Sequence, residues 1–404
     1  MQPSPKKFFK NSKAAPSPKV LLEPNSNERY IQNHLNFPQI SNFSLYDNID
    51  GVSSSNTAFG NLVQNSFFPK DSSGLFDQTS IKDCFKKKST PNSKPYKILD
   101  APDLQDNFYY NILDWGSKNI ISVALSTNLY LFNVGNCKVS KLYESPHNIT
   151  SLKFNENSQF IAVGSESGHV LIFDVVRQSV VQNLIGHSGR VGIIRWNGNI
   201  ITTGSFDTHI IHSDIRVPEY FSKTKAHKEE ICGLEWDGDS LASGSNDNII
   251  KIWDKFGQSP SMVLRGHTSA VKSMAWSPNE HKILVSGGGA NDKKIITWNT
   301  LTGNSIFEVD SGSQVCSLLF SQNTKEIITG HGYTKHEIAI WNYPDFQNRR
   351  AFRAHDDRVL YMALSPNFSD VVTGAGDKTL RFWHLFDAAD EKSNFENSFW
   401  TNMR

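Results

Sequence analysis

The sequence predicts an all-β protein, a seven-bladed β-propeller that follows a long polar tail. Two observations carry this. Short runs of β-forming apolar residues alternate with turn residues, as in 120–125 and 129–132, or 160–163 and 170–173. That is the spacing of strand–turn–strand units, and no amphipathic helical window of comparable strength competes with it. The second observation is a repeat. An aromatic or equivalent residue followed by Asp, Asn or His recurs at Phe132, Phe173, Ser213, Trp253, Trp298, Trp341 and Trp383, in steps of 40 to 45 residues. Seven such copies are the pattern of seven four-stranded blades around an axis.

Residues 1–95 precede the repeat. They are rich in Asn, Ser, Lys and Pro, and 12 Lys and Arg stand against 7 Asp and Glu. The aromatics, such as Phe37, Phe43, Tyr46 and Phe59, follow neither strand nor helix period. Such a segment cannot bury enough apolar surface to offset its ordering entropy, so disorder in isolation is expected. The first residues lack the apolar core of a secretory signal, and no run of about 18 apolar residues offers a membrane span. A net charge of +1 gives no general case for nucleic acid as a partner. Cys84, Cys137, Cys232 and Cys316 are widely spaced, which fits reduced thiols in the cytosol or nucleus better than a disulfide framework or a zinc site. Neither a metal nor another cofactor is expected.

Residues 96–115 mark the boundary between tail and repeat. A propeller must close its ring without a long open strand edge. The only strand-like stretch ahead of the first repeat surrounds residues 96–99, so it is expected to join the blade that ends near Trp383. The propeller then spans 96–388, and 389–404 form a C-terminal tail.

Within the repeats a Gly-His or Ala-His pair recurs at His187, His227, His267 and His355, and a turn Asp follows at Asp207, Asp247, Asp292 and Asp377. This resembles the WD40 repeat. A buried imidazole needs partners for both nitrogens. His187 with Asp207, and His227 with Asp247, read as networks of turn Asp, Ser or Thr hydroxyl and Trp ring. The alternative is catalytic His–Asp chemistry, but a single active site would not recur blade after blade. The expectation is a non-enzymatic protein.

The run Lys97-Ile98-Leu99-Asp100-Ala101-Pro102, then Asn111-Ile112-Leu113-Asp114-Trp115, is distinctive. So are Gly186-His187-Ser188-Gly189-Arg190-Val191-Gly192, Gly312-Ser313-Gln314-Val315-Cys316 and Gly330-His331-Gly332-Tyr333. Together they resemble the propeller of Fizzy and Fizzy-related proteins, from about residue 95 to the C-terminus. Pro95-Tyr96-Lys97 and Leu104-Gln105-Asp106 are closer to the Fizzy-related branch. The resemblance implies a substrate-recruiting activator of the anaphase-promoting complex, a ubiquitin ligase. Its implied partners are the ligase subunits and degron-bearing substrates such as cyclins.

The resemblance also implies sites. Asn27-Glu28-Arg29-Tyr30-Ile31-Gln32 resembles the ligase-docking C-box, with Glu for Asp and Gln for Pro. Arg29 would make the charge-assisted contact, with Tyr30 and Ile31 as apolar anchors. Met403-Arg404 stands where the family has a terminal Ile-Arg docking pair. Positions matching the family's Lys-Glu-Asn degron site are Asp114, Asn246, Asn248, Gln314 and Arg358, while the family's Thr after a triple glycine is Ala290 here. Asn246 and Asn248 also read as polar turn residues around Asp247. The two acids that hold the Arg of a destruction box are replaced by Asn107 and Lys378. A like charge beside an incoming Arg opposes binding, so weak or altered recognition of Arg-x-x-Leu degrons is expected, with Asp106 as a neighbouring substitute left open.

Ser4-Pro5-Lys6-Lys7 has the form favoured by cyclin-dependent kinases, and Ser17 and Thr90 also precede Pro. Lys86-Lys87-Lys88 reads as a nuclear import patch, giving a nuclear and cytoplasmic location. No checkpoint-binding motif lies between the C-box-like segment and the propeller, and the divergent sites suggest a specialised, meiotic activator. The rival reading is a WD40 scaffold in an unrelated complex.

Overall fold

The structure, a computed structural model, describes residues 94–386 except Asn323 and Asn348. The sites expected at Ser4, Ser17, Arg29, Tyr30, Ile31, Lys86–Lys88, Thr90, Met403 and Arg404 lie outside the described residues.

The described residues form twenty-eight strands in seven four-stranded antiparallel sheets, the predicted seven blades. The innermost strands of blades 1 to 7 are Leu113–Gly116, Ile149–Phe154, Val191–Asn197, Ile231–Asp237, Val271–Trp276, Val315–Phe320 and Val359–Leu364. Each packs against the next, and the seventh packs against the first, so the ring is closed. Their starts define one face of the ring, here the upper face. Their ends turn into the second strands at the lower face.

The two chain ends share blade 7. Lys97–Asp100 is its outermost strand and pairs antiparallel with Thr379–His384, Lys97 opposite Phe382 and Leu99 opposite Leu380. Tyr96 N donates to Phe382 O at 2.9 Å and Ala101 N to Lys378 O at 2.8 Å, extending the ladder at both ends. The buried Phe382 ring meets Trp115 and Phe132 of blade 1 edge-on, with centroids 5.9 and 6.1 Å away. Tilted aromatic contacts of this kind add about 1 kcal/mol each beyond area burial. The closure expected from residues 96–99 is present.

The His–Asp pairs sit where the repeat placed them. In blade 4, His227 Nδ1 lies 3.1 Å from both Asp247 oxygens and Nε2 lies 2.8 Å from Ser243 Oγ, which accepts from Trp253 Nε1 at 2.8 Å. The hydroxyl accepts from the indole and gives its proton to Nε2, so a neutral imidazole donates from Nδ1 to the carboxylate. Burial lowers the His227 pKa, consistent with that neutral form. Blades 5 and 7 repeat the network with His267, Asp292, Ser286 and Trp298, and with His355, Asp377, Thr373 and Trp383.

The other four blades depart from it: blades 1 and 2 carry Phe132 and Phe173 at the Trp position, and blades 3 and 6 keep part of the network. Blade 3 keeps His187, Asp207 and Thr203 but carries Ser213 in place of Trp. In blade 6, Ser311 precedes the inner strand, and His331 supplies the imidazole from the second strand. Its Nε2 lies 2.8 Å from Thr329 Oγ1, which accepts from Trp341 Nε1 at 2.8 Å. Burial pushes His331 down to about 3.

Candidate functional site

A strap of chain crosses the upper end of the central channel. It runs from Ala101 to Asn111, between the closing strand and the first innermost strand, and buries Leu104, Phe108 and Tyr110. Asn107 folds it: Oδ1 accepts from Tyr109 N at 3.0 Å, an Asx turn, and the Asn107 carbonyl accepts from Tyr110 N at 3.2 Å. The strap touches inner strands on both sides of the ring. Tyr361 Oη in blade 7 donates to Gln105 O at 2.6 Å. Asn111 Nδ2 donates to Gly192 O of blade 3 at 2.9 Å, and Asn111 N to Thr150 O of blade 2 at 3.0 Å.

Arg358 precedes the innermost strand of blade 7 and is buried. Its Nε and Nη2 donate to Asp106 Oδ1 at 2.9 and 2.7 Å, and Nη2 also reaches Asp106 O at 3.0 Å. The guanidinium lies 4.4 Å from the centroid of the half-exposed Tyr333 ring. Burial would lower the Arg358 pKa, but the Asp106 bond and charge outweigh it and raise it. Gln314 immediately precedes the innermost strand of blade 6 and stands against Gly332, next to Tyr333, where an added Cβ would lie 2.6 Å from its Oε1. The Gln314 side chain is 6% exposed, and Oε1 has no hydrogen-bond partner among the described residues.

Asn246 follows the second strand of blade 4. Its Oδ1 accepts from Tyr109 Oη at 2.8 Å, and Nδ2 donates to Glu229. Arg190 forms a two-bond pair with the buried Glu230, Nε to Oε1 at 2.8 Å, and lies 5.6 and 4.9 Å from the Tyr109 and Phe206 rings. Phe206 is 55% exposed on this face. The face therefore offers a guanidinium, unpaired amide capacity and exposed aromatic rings, a set suited to a short peptide with an acidic side chain.

The positions read from the sequence divide. Arg358 and Gln314 flank Tyr333, and the strap ties Asn246 to them through Tyr109 and Asp106. Asn248 instead holds the turn after Asp247, with φ +64° and its N–H 3.2 Å from Ser245 O. Thr208, Lys293 and Lys378 take the same left-handed conformation after the turn Asp of their blades. Asp114 is not part of this cluster. It sits near the lower end of its strand, level with Phe154, the last residue of the next innermost strand. Oδ2 accepts from Phe154 N at 2.9 Å, and Oδ1 pairs with Lys153 Nζ at 2.6 Å. The acid beside Arg358 is Asp106. Lys378 is exposed, and its carbonyl receives the Ala101 N–H of the strap. Gly376 lies between Asp357 and Asp106: a Cβ there would be 2.8 Å from Asp357 Oδ2 and 3.1 Å from Asp106 Cγ.

Tyr109, Phe206 and Tyr333 were not singled out in the sequence; Tyr333 and Arg190 lie inside the motif runs quoted for the resemblance. Among the described residues no group of three or more His, Cys, Asp or Glu has the arrangement of a metal site.

The profile of the CDC20/Fizzy WD40 domain matches residues 99–383. The chain belongs to the CDC20/Fizzy WD40 family. Its similarity lies on the Fizzy-related side: it is 44% identical over 297 residues to the B-type cell cycle switch protein ccs52B of Medicago truncatula, covering 72% of this chain and 61% of that protein. It is 42% identical to Meiotic fizzy-related protein 1 of Schizosaccharomyces pombe, over 72% of this chain and 71% of that protein. It is 37% identical to the APC/C activator protein CDH1 of Saccharomyces cerevisiae, over 74% of this chain and 53% of that protein. A chain in the crystal structure of the Mitotic Checkpoint Complex superposes with a TM-score of 0.72 at 39% identity, covering 73% of this chain and 96% of that one. The strap and the upper face thus belong to the part of the chain that this Fizzy family shares.

Proposed function

We propose that this Fizzy-related protein is a non-catalytic activator of the anaphase-promoting complex that recruits degron-bearing substrates, cyclins among them. The naming of its relative CDH1 as an APC/C activator supports the role. The observation that carries the binding mode is the upper face, where Arg358 and the unpartnered Gln314 Oε1 flank Tyr333. A Lys-Glu-Asn degron places its Glu at Arg358 and its amides at Gln314 and Asn246, and the ligase is engaged through Arg29, Tyr30 and Ile31 and through Met403 and Arg404. Weak contacts at several places then raise the effective concentration of substrate at the ligase. The protein works in the nucleus and cytoplasm as a meiotic specialist, under cyclin-dependent kinase control at Ser4, Ser17 and Thr90.

Destruction boxes bind weakly in this reading. Asn107 contributes no charge, Lys378 contributes the wrong one, and Asp106 already neutralises Arg358. Titration of Lys-Glu-Asn and Arg-x-x-Leu peptides tests both halves: tight binding of an ordinary destruction box through its Arg sinks the second. Immunoprecipitation across mitotic and meiotic cultures tests the ligase role. Arg29→Ala combined with removal of Arg404 abolishes co-purification of ligase subunits; unchanged co-purification favours a scaffold in another complex.

A further inference from the structure

Six of the seven innermost strands carry a bulge at their second residue, and a bulge re-aims the side chain it holds. The residues there are Thr150, Gly192, Cys232, Lys272, Cys316 and Leu360, so one long cation stands among neutral neighbours. Lys272 is 6% exposed. It reaches from blade 5 into the channel, where Nζ donates to Tyr110 O at 2.8 Å and to Leu360 O at 3.4 Å. The ammonium lies 5.5 and 5.2 Å from the centroids of Phe108 and Tyr361. It forms no ion pair with a carboxylate among the described residues, and an unpaired buried ammonium is costly. Two carbonyls and two ring faces offset that cost. Tyr110 and Phe108 belong to the strap, and Tyr361 donates to its Gln105 and Asn107 carbonyls. The ammonium and the Tyr361 hydroxyl therefore hold the strap from below, while Asn246 and Arg358 hold it from above.

We propose that Lys272 is a positioning residue for the peptide-binding face: it fixes the strap, and with it Asp106 and Tyr109, in the arrangement that receives a degron. This rests on the degron-binding reading of the upper face, and it adds a pH window. Burial lowers the Lys272 pKa to about 8. The groups facing it are Cys232, Cys316, Tyr110, Tyr361, Arg195 and Arg358. Burial raises both thiols and both phenols, and guanidinium groups as a class do not lose their proton in proteins. Lys272 is thus the group of this set that titrates between pH 7 and 9.5.

The test uses the full chain, an N-acetylated Lys-Glu-Asn peptide and backbone hydrogen exchange. Lys272→Met is expected to speed exchange at Tyr109, Tyr110 and Asn111 while leaving the other inner strands unchanged. It should weaken the peptide roughly tenfold at pH 7, the scale of one lost charge-assisted hydrogen bond. Wild-type affinity should fall several-fold between pH 7 and 9.5, and that of the variant should stay flat. Tyr361→Phe removes the neutral half of the same support and should also loosen the strap, so the proposal stays testable if Lys272→Met does not fold. A variant with wild-type strap exchange, or a loosened strap with unchanged peptide affinity, overturns the proposal. Absence of peptide binding by the wild-type protein overturns the degron reading instead, and strap exchange still decides whether Lys272 positions the strap.

Discussion

Arg358 and Asp106 stand 252 residues apart in the chain and share an ion pair, Nη2 to Oδ1 at 2.7 Å. The pair joins the last blade to the strap and leaves the guanidinium facing the Tyr333 ring. It both orients Arg358 and competes with any acidic ligand for it.

Those two effects separate by substitution. Asp106→Asn keeps an oxygen for Nε and removes the competing charge, so an acidic degron should bind about threefold tighter, the order expected of one partly exposed charge. Arg358→Met should weaken the same peptide at least about tenfold and remove its dependence on the peptide Glu. Isothermal titration with Glu and Gln versions of the peptide reads both. Equal losses for the two peptides would show that Arg358 acts only on the strap.

Lys378 is exposed on the turn that receives the strap, where the resemblance implies an acid. Lys378→Glu removes one repulsive charge and adds an attractive one. It should improve destruction-box affinity roughly fivefold at low salt and less at high salt. Fluorescence anisotropy at two ionic strengths checks this, and no gain at low salt would place the degron Arg elsewhere.

Much of the fold was readable because it repeats. The Trp or its substitute returns every 40 to 45 residues, so the frame survives Ser213 in blade 3 and the relocated imidazole of His331 in blade 6. The ring closure was readable because residues 96–99 were the only spare strand. The shared upper-face placement of Arg358, Gln314 and Asn246 was readable only because motifs marked those positions. Periodicity assigns a residue to a strand but not to an end of the channel, so Asp114 was grouped with residues near the opposite face. The strap has no period at all, which hid the role of Tyr109. Lys272 was hidden because a lysine in a strand reads as solvent-facing, whereas a bulge on an innermost strand turns it into the channel.

The closing strand makes a stability prediction. Without residues 96–100, Thr379–His384 loses its partner along four residue pairs, and Tyr96 no longer meets Phe382. At about 1 kcal/mol per lost hydrogen bond, and 2–4 °C per kcal/mol for a domain of this order, the melting midpoint should fall by roughly 10 °C. The exposed edge should also promote association. Differential scanning calorimetry with light scattering measures both, and an unchanged midpoint would mean that the inner strands close the ring unaided.

The His–Asp networks set the acid limit. Burial alone would raise Asp247, but the bonds from His227 and from the Lys228 and Ile249 N–H groups outweigh it and hold the carboxyl at about 2. A folded pKa below the unfolded value of about 3.9 gives stability that is complete above pH 4 and lost as pH falls toward 2. His227 adds to the loss, because burial lowers its pKa while the unfolded imidazole protonates below about 6.5. Through these groups stability should therefore be level from pH 7 to 6.5, decline gently below that and fall steeply under pH 4. Asp247→Asn removes the carboxylate that ionises, so it should cost stability at pH 7 and flatten the slope between pH 4 and 2. Urea midpoints measured from pH 7 to 3 resolve the two regions. A variant that loses stability equally at every pH would show that Asp247 contributes through packing rather than through its charge.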